Sequence, residues 1–321
     1  MRRDVLLSFD RLNTPPAALA RWAAAPGSLE SVGESENFVY RFRDPAHNER
    51  YLRLSHHTHR SLDAISAELD FVNYVADNGI AAARPVPSTA GNLIEIIPTE
   101  HGNVHAVAFE AVQGERIQWG RDAQNRKYLF ERGKMLGRLH RISQAYQPPG
   151  LRRWDWYNDD LFTNPIKYLP PSEEAARREY EDLIHWLLKR PRTPDNYGMV
   201  HGDFGTLNTR RRADGTLAVF DFDDCSCHWF LYDVAVAMRS ARKLPPRYLK
   251  PYVKVILQGY ATEKGLNGDG LEEFARFCRL SALYRFISSI RSVSDLSQID
   301  PASKQLLDER REVLANPPQW Y

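Results

Sequence analysis

His201-Gly202-Asp203-Phe204-Gly205-Thr206-Leu207-Asn208, followed further on by Asp221-Phe222-Asp223-Asp224, is the stretch on which the reading of this chain turns. Between the two lies Asp214-Gly215, a two-residue hairpin signal. Taken as the central pair of the turn, it places Asn208 directly opposite Asp221, with Cβ atoms about 4.5–5.5 Å apart. A carboxylate and an amide oxygen side by side suit a hard cation such as Mg²⁺, with phosphate oxygens and waters completing the octahedron. Asp203 precedes Asn208 across a loop, where a carboxylate can accept the proton of a hydroxyl that attacks phosphorus. The register is decisive: a slip of one residue breaks the Asn208–Asp221 pairing.

The rest of the chain bounds this reading. Its 321 residues are enough for two compact lobes and too many for one small core. A formal net charge of +2 gives no sign of a nucleic-acid partner. No apolar run approaches the roughly 18 residues of a membrane span, and Met1 to Asp10 does not read as a signal peptide. The cysteines Cys225, Cys227 and Cys278 make no disulfide framework, which points to a reducing, cytoplasmic setting.

The order of elements suggests α+β. Residues 1–27 read as a helical lead-in ending near Pro26-Gly27. Strand patterns follow from Leu29 to Leu54, with a loop at Gly33–Asn37, and again near Leu93–Ile97 and Val104–Val112. From Gln113 on the chain is mostly helical, with helices expected near 124–143, 173–189, 232–242, 247–264, 271–292 and 301–315, interrupted by a β-rich island from Met199 to Asp224. A nucleotide-binding lobe over 1–112 and a helical catalytic and substrate-binding lobe over 113–321 fit this order.

A second signal lies in the helix expected over 61–79, ending at Asn78-Gly79. At about 100° per residue, Leu62, Ile65, Leu69, Val72 and Val75 share one apolar face, and Glu68 falls inside it. A carboxylate facing a core needs a cationic partner, and Arg53 on the preceding strand is the candidate.

With these residues in hand, the chain resembles the aminoglycoside phosphotransferase and choline kinase group. The resemblance rests on His201-Gly-Asp203-x4-Asn208, Asp221-Phe-Asp223-Asp224, Val39-Tyr40-Arg41-Phe42, Tyr51-Leu-Arg53-Leu, Glu68, Gly137-Arg-Leu-His140 and Trp229-Phe230-x2-Asp233, over about residues 28 to 290. It implies a bilobal protein-kinase-like fold, with a small β-rich N-terminal lobe and a larger, mainly helical C-terminal lobe. It implies ATP as phosphoryl donor and Mg²⁺ as metal. Asp203 is then the base, Asn208 and Asp221 the metal ligands, and Asp223 an aid to a second ion. Arg53 holds the phosphates where the group usually has Lys, and Glu68 orients it. The loop containing Ser35 and Asn37 covers the phosphates. Phe109–Val112, with Glu110 and Val112, is the hinge that offers backbone groups to the adenine. Gly33–Asn37 departs from the G-x-G-x-x-G pattern.

A small hydroxylated acceptor is expected rather than a protein. No Ala-Pro-Glu closes an activation segment after Asp221, and Gly202 stands where His-Arg-Asp kinases have Arg. Asp233 fits a helix N-cap. The alternatives are a stress-response-type protein Ser/Thr kinase and a nucleotide-binding pseudoenzyme or scaffold; the retention of Asp203, Asn208 and Asp221 argues against the last. Trp154, Trp156 and Tyr157 read as core aromatics before they read as an aromatic box for a cationic amine. Cys225-x-Cys227-His228 reads as structural rather than zinc-binding. His56, His57 and His59 read as solvated, and Arg210–Arg212 as an exposed turn flank.

Overall fold

The computed structural model describes residues 8–34, 36–122, 125–244, 246–265, 271–293 and 299–316. They fall into two compact units: the residues up to Gln113 with Gln147–Arg153, and Gly114–Tyr146 with the residues from Trp154 on.

The first unit is an antiparallel sheet covered on both faces. β1 (Glu30–Glu34), β2 (Phe38–Arg43), β3 (Glu49–His56) and β6 (Gly102–Glu110) pair in that order, and β4 (Pro85–Val86) and β5 (Glu95–Thr99) share the far edge of β6. Alternation decides what each face buries. Phe38, Tyr40, Phe42, Leu52, Leu54, Ala106 and Ala108 pack with Ala18 and Trp22 around the short helix α1 (Thr14–Leu19). Val107 faces the other way, against Ile65 and Leu69 of α2 (Leu62–Asp77). Arg53 pairs with Val107, so it too faces α2.

α2 runs as its periodicity dictates. Ser61 Oγ accepts from Ala64 N at 3.2 Å as N-cap, and Gly79 at φ +86° follows the Asn78 C-cap. Three expectations need correction here. The lead-in is not one helix reaching Pro26: the helix Thr14–Leu19 has proline in its first turn and ends well before it. Gly33 and Glu34 belong to strand β1 rather than to a loop, and Ser35 lies outside the described residues. His56 is buried, bonded to Thr58 Oγ1 at 2.8 Å and to the His101 carbonyl at 2.9 Å, not solvated.

The second unit is mainly helical. α3 (Arg126–Ser143) and α6 (Pro246–Ala261) cross with backbones in contact. A Cβ on Gly133 would fall 1.9 Å from the Ile256 carbonyl oxygen, and one on Gly259 2.0 Å from that of Phe130. Side chains at these positions would force the helices apart. Further helices of this unit are α4 (Glu174–Lys189), α5 (Phe230–Ala237), α7 (Leu271–Ser292) and α8 (Pro301–Ala315). Two small ladders hold the loops: β8 (Tyr197–Val200) with β11 (Ser226–Trp229), and β9 (Thr209–Arg211) between β10 (Leu217–Val219) and β7 (Glu115–Arg116). No helix among the described residues is long and apolar enough to cross a membrane.

The hairpin between β9 and β10 forms, but one residue out of the expected register. Arg211 pairs with Leu217 and Thr209 with Val219. A two-residue type I′ turn needs φ > 0 at both central residues. Only Gly215 has it here, at φ +86°. The loop is instead Ala213-Asp214-Gly215, closed by Gly215 N to Arg212 O at 2.9 Å and Arg212 N to Thr216 O at 2.8 Å. Asp214 Oδ1 accepts from Thr216 N and Oγ1. Asn208 therefore faces Phe220, whose N–H donates to its carbonyl at 3.1 Å, and the direct Asn208–Asp221 pairing is overturned.

Candidate active site

The segment from His201 to Asn208 leaves β8 and is fixed on several sides. Asp233, fully buried on α5, accepts from His201 N at 2.9 Å (Oδ2) and from Gly202 N at 3.0 Å (Oδ1). Asp233 is thus no N-cap: Trp229 occupies that position. His201 Nδ1 accepts from Asp203 N at 3.2 Å, so its Nε2 carries the proton and donates to Phe220 O at 3.1 Å. The buried Arg132 of α3 donates to Phe204 O at 2.9 Å. Gly202 has φ +82°, and a Cβ there would lie 2.1 Å from the Asp224 carbonyl oxygen. The backbone alone therefore requires glycine at this position.

Asp203 is held between two donors. Arg239 Nη1 donates to its Oδ1 at 3.1 Å, and Asn208 Nδ2 to its Oδ2 at 3.1 Å. Asn208 Nδ2 also donates to the Asp203 carbonyl at 3.0 Å. Both of these neighbours are acceptors, so the amide nitrogen must face them and Asn208 Oδ1 is turned away from them. Arg239 is anchored in turn by Nε to Ser281 Oγ at 2.8 Å, on α7. Neither Arg239 nor Ser281 was legible in the sequence; both lie far along the chain from Asp203.

Asp221 is exposed and left-handed at φ +64°, a conformation rare for residues other than glycine. It follows Phe220 directly. Phe222 is buried with its ring centroid 4.4 Å from that of His201, and Asp223 is buried beside it in sequence. Among the described residues no three His, Cys, Asp or Glu side chains form a group able to hold a metal. Asn208 Oδ1 and the Asp221 carboxylate are hard oxygen donors, the kind of atom that an oxygen-ligated divalent ion takes. Cys225, Cys227 and Cys278 are buried free thiols.

In the first unit the expected ion pair forms. Arg53 Nη1 and Nη2 donate to Glu68 Oε1 and Oε2 at 2.7 and 2.8 Å, a bidentate pair with both side chains buried. Asn37 is buried and accepts from Ser55 Oγ at 2.5 Å. Glu110 ends β6, and its N–H is committed to Arg84 O at 2.8 Å. Val112 lies just beyond that strand, in irregular backbone.

The remaining motifs resolve simply. Trp156 is buried among Trp229, Phe162 and His228, with centroids 5.6, 6.2 and 6.3 Å away, as a core aromatic. Arg211 is no mere turn flank: it donates to Asp122 at 2.8 Å and to Glu115 at 3.2 Å.

An antiparallel N-terminal sheet, a mainly helical C-terminal part and a loop-borne Asp–Asn pair define the kinase-like class of phosphoryl-transfer proteins. Residues 29–266 match the model of the APH family, the phosphotransferase enzyme family, and the chain belongs to that family. It is therefore a phosphotransferase with an alcohol group as acceptor. Over 329 aligned residues it is 24% identical to the amicoumacin kinase of Bacillus subtilis (strain 168), covering 98% of this chain and 95% of that protein. It is also similar to a solved amicoumacin kinase in complex with AMP-PNP, Ca²⁺ and Ami, with a TM-score of 0.89, 24% identity and 99% and 97% of the two chains covered. A microcompartment-associated aminopropanol kinase gives a TM-score of 0.77 at 18% identity, covering 96% and 99%. These likenesses in structure establish the fold.

Proposed function

We propose that this chain transfers the γ-phosphoryl group of ATP, with Mg²⁺, to a hydroxyl of a small molecule such as an amino alcohol, a sugar or an aminoglycoside-like compound. The single observation that carries the reading is the way Asn208 turns its amide nitrogen to Asp203 and leaves its oxygen outward. One side chain thereby orients the base and offers a metal ligand.

In this reading the acceptor hydroxyl gives its proton to the Asp203 carboxylate as its oxygen bonds to the γ-phosphorus. The bond from that phosphorus to the bridging oxygen breaks, and ADP leaves. Asn208 and Asp221, with Asp223 as an auxiliary carboxylate, hold the divalent ion, which supplies charge neutralisation on the phosphate oxygens when bound. Arg53, oriented by Glu68, takes phosphate oxygens, the segment around Ser35 and Asn37 covers them, and the backbone near Glu110 and Val112 receives the adenine. The names of the similar kinases support a small acceptor, since amicoumacin and aminopropanol are small molecules.

The test is an ATP-consumption screen over amino alcohols, sugars and aminoglycosides, run beside labelled ATP with cell lysate separated into metabolites and proteins. Label on a metabolite supports the reading. Label on protein alone would replace it with a protein kinase.

A further inference from the structure

The lead-in spans the N-terminal sheet from one edge strand to the other. Its end is tied to the β4 side: Trp22 Nε1 donates to Val86 O at 2.9 Å, and Thr89 N to Arg21 O at 2.9 Å. Its start meets the opposite edge, the hairpin of β1 and β2. Glu34 and Phe38 are the last pair of that ladder, directly opposite each other, and residues 35–37 join them. Residues so paired share one face of the sheet. The Phe9 ring stacks on Phe38 with centroids 3.6 Å apart and planes 13° from parallel, and both rings are buried. Arg11 Nε and Nη2 donate to Glu34 Oε1 and Oε2 at 3.0 and 2.7 Å. The same guanidinium lies 5.6 Å from the Phe38 ring centroid. Three consecutive residues therefore grip both members of the closing pair. Asp10 fixes their shape: its Oδ1 accepts from Leu12 N and Asn13 N, each at 3.0 Å, and its Oδ2 from Asn13 Nδ2 at 2.7 Å.

We propose that Phe9 and Arg11 are positioning residues for the nucleotide phosphates: they clamp the closing pair of the β1–β2 turn and neutralise Glu34, so that the turn can lie over a triphosphate. This rests on the reading of the segment around Ser35 and Asn37 as the phosphate cover. That segment lacks the G-x-G-x-x-G pattern and carries two acids, Glu34 and Glu36. A carboxylate left unpaired there repels a polyphosphate. The hydrogen bonds from Arg11 hold the Glu34 carboxyl below its ordinary range, so it is ionised and matched by a cation. Glu36 has a neighbour of its own: its Oε2 lies 3.6 Å from His59 Nδ1. Without Arg11 the turn loses one of its two holds and regains a negative charge. Both changes act on a ligand with phosphates; the charge does not act on adenosine, which has none.

The test uses the full chain with Arg11→Met, Arg11→Lys, Glu34→Gln and Phe9→Leu. Arg11→Met keeps a stem over Phe38 and removes the charge and the donors. Titration calorimetry with MgATP and with adenosine is read beside amide hydrogen exchange of the peptide containing Glu34 and Phe38. Arg11→Met is expected to raise Kd for MgATP about two- to fivefold, the scale of one exposed ion pair, and to leave Kd for adenosine unchanged. Arg11→Lys keeps the charge without the fork and should lose less. In a Glu34→Gln background, Arg11→Met should do nothing further. The advantage of wild type over Arg11→Met should shrink as salt rises from about 0.05 to about 0.5 M. Exchange at the turn should quicken in Arg11→Met and in Phe9→Leu. Equal losses for MgATP and adenosine overturn the proposal. So does unchanged MgATP affinity in Arg11→Met, or the same loss in the Glu34→Gln background. If Phe9→Leu does not fold, Arg11→Met decides. Wild-type protein that fails to bind MgATP would sink the phosphotransferase reading; quicker exchange in Arg11→Met would then leave the clamp standing, and unchanged exchange would remove it.

Discussion

Arg239 holds Asp203: its Nη1 donates to Asp203 Oδ1 at 3.1 Å while its Nε is tied to Ser281 Oγ. The pair keeps the carboxylate of the candidate base from swinging. Arg239→Ala is expected to lower kcat by about ten- to a hundredfold, with Arg239→Lys losing less because it keeps the charge without the fork. Asp203→Asn should lower turnover by about two to four orders of magnitude with MgATP binding largely kept. Steady-state kinetics with calorimetric binding separates these outcomes; unchanged turnover in Asp203→Asn refutes the base assignment.

Asp221→Ala should act on binding. Removing a hard ligand weakens metal-dependent nucleotide affinity, and Asn208→Ala should both weaken it and loosen Asp203. Titration calorimetry with ATP, with and without Mg²⁺, checks this. Equal affinities for Asp221→Ala and wild type in the presence of Mg²⁺ would count against the ligand role.

Gly202→Ala tests the backbone. Its φ is +82°, and the added Cβ would meet the Asp224 carbonyl at 2.1 Å. Strain and overlap together are expected to cost about 2–4 kcal/mol. Urea unfolding at constant slope should show a lower midpoint. A midpoint equal to wild type would mean the loop can move away from Asp224.

Glu68→Ala removes the bidentate carboxylate partner of the buried Arg53 guanidinium. Breaking a buried pair from one side costs about 3–5 kcal/mol. Glu68→Ala combined with Arg53→Met should recover much of that stability and none of the nucleotide affinity. Chemical denaturation and calorimetry of both variants provide the comparison.

The buried histidines give stability a pH dependence of known sign. Burial pushes His228 down to about 3. In the unfolded chain a histidine titrates near 6.5. Between these values the unfolded state binds more protons, so stability falls as pH falls. The contribution is complete above about pH 6.5 and is lost on acidification toward about pH 3. His140 has the same sign; it faces Asp233, Lys264 and His201. Unfolding midpoints measured from pH 8 to 4 should decline more steeply in wild type than in His228→Phe. Parallel curves would show that His228 titrates alike in the folded and unfolded chain.

The chain's own residues determined a good deal. Arg53 and Glu68 found each other because strand alternation and the helical repeat are local rules, and a carboxylate on an apolar face demands a partner. The helices near 124–143, 173–189 and 271–292 followed from the same periodicity. The Asp203–Asn208 spacing pointed to phosphotransfer, and the family match shows a phosphotransferase. Turn chemistry was harder. Asp214-Gly215 named the hairpin, yet whether the loop holds two residues or three depends on which of them takes a left-handed φ, and the ladder moved by one. What tertiary structure alone decided was the support of Asp203. Arg239, Ser281, Asp233, His140 and Tyr260 come from four helices and the turn after one of them, distant in sequence. Their meeting depends on helices that cross at bare glycine backbone, and such contacts are set by packing in three dimensions, which no periodicity along the chain encodes.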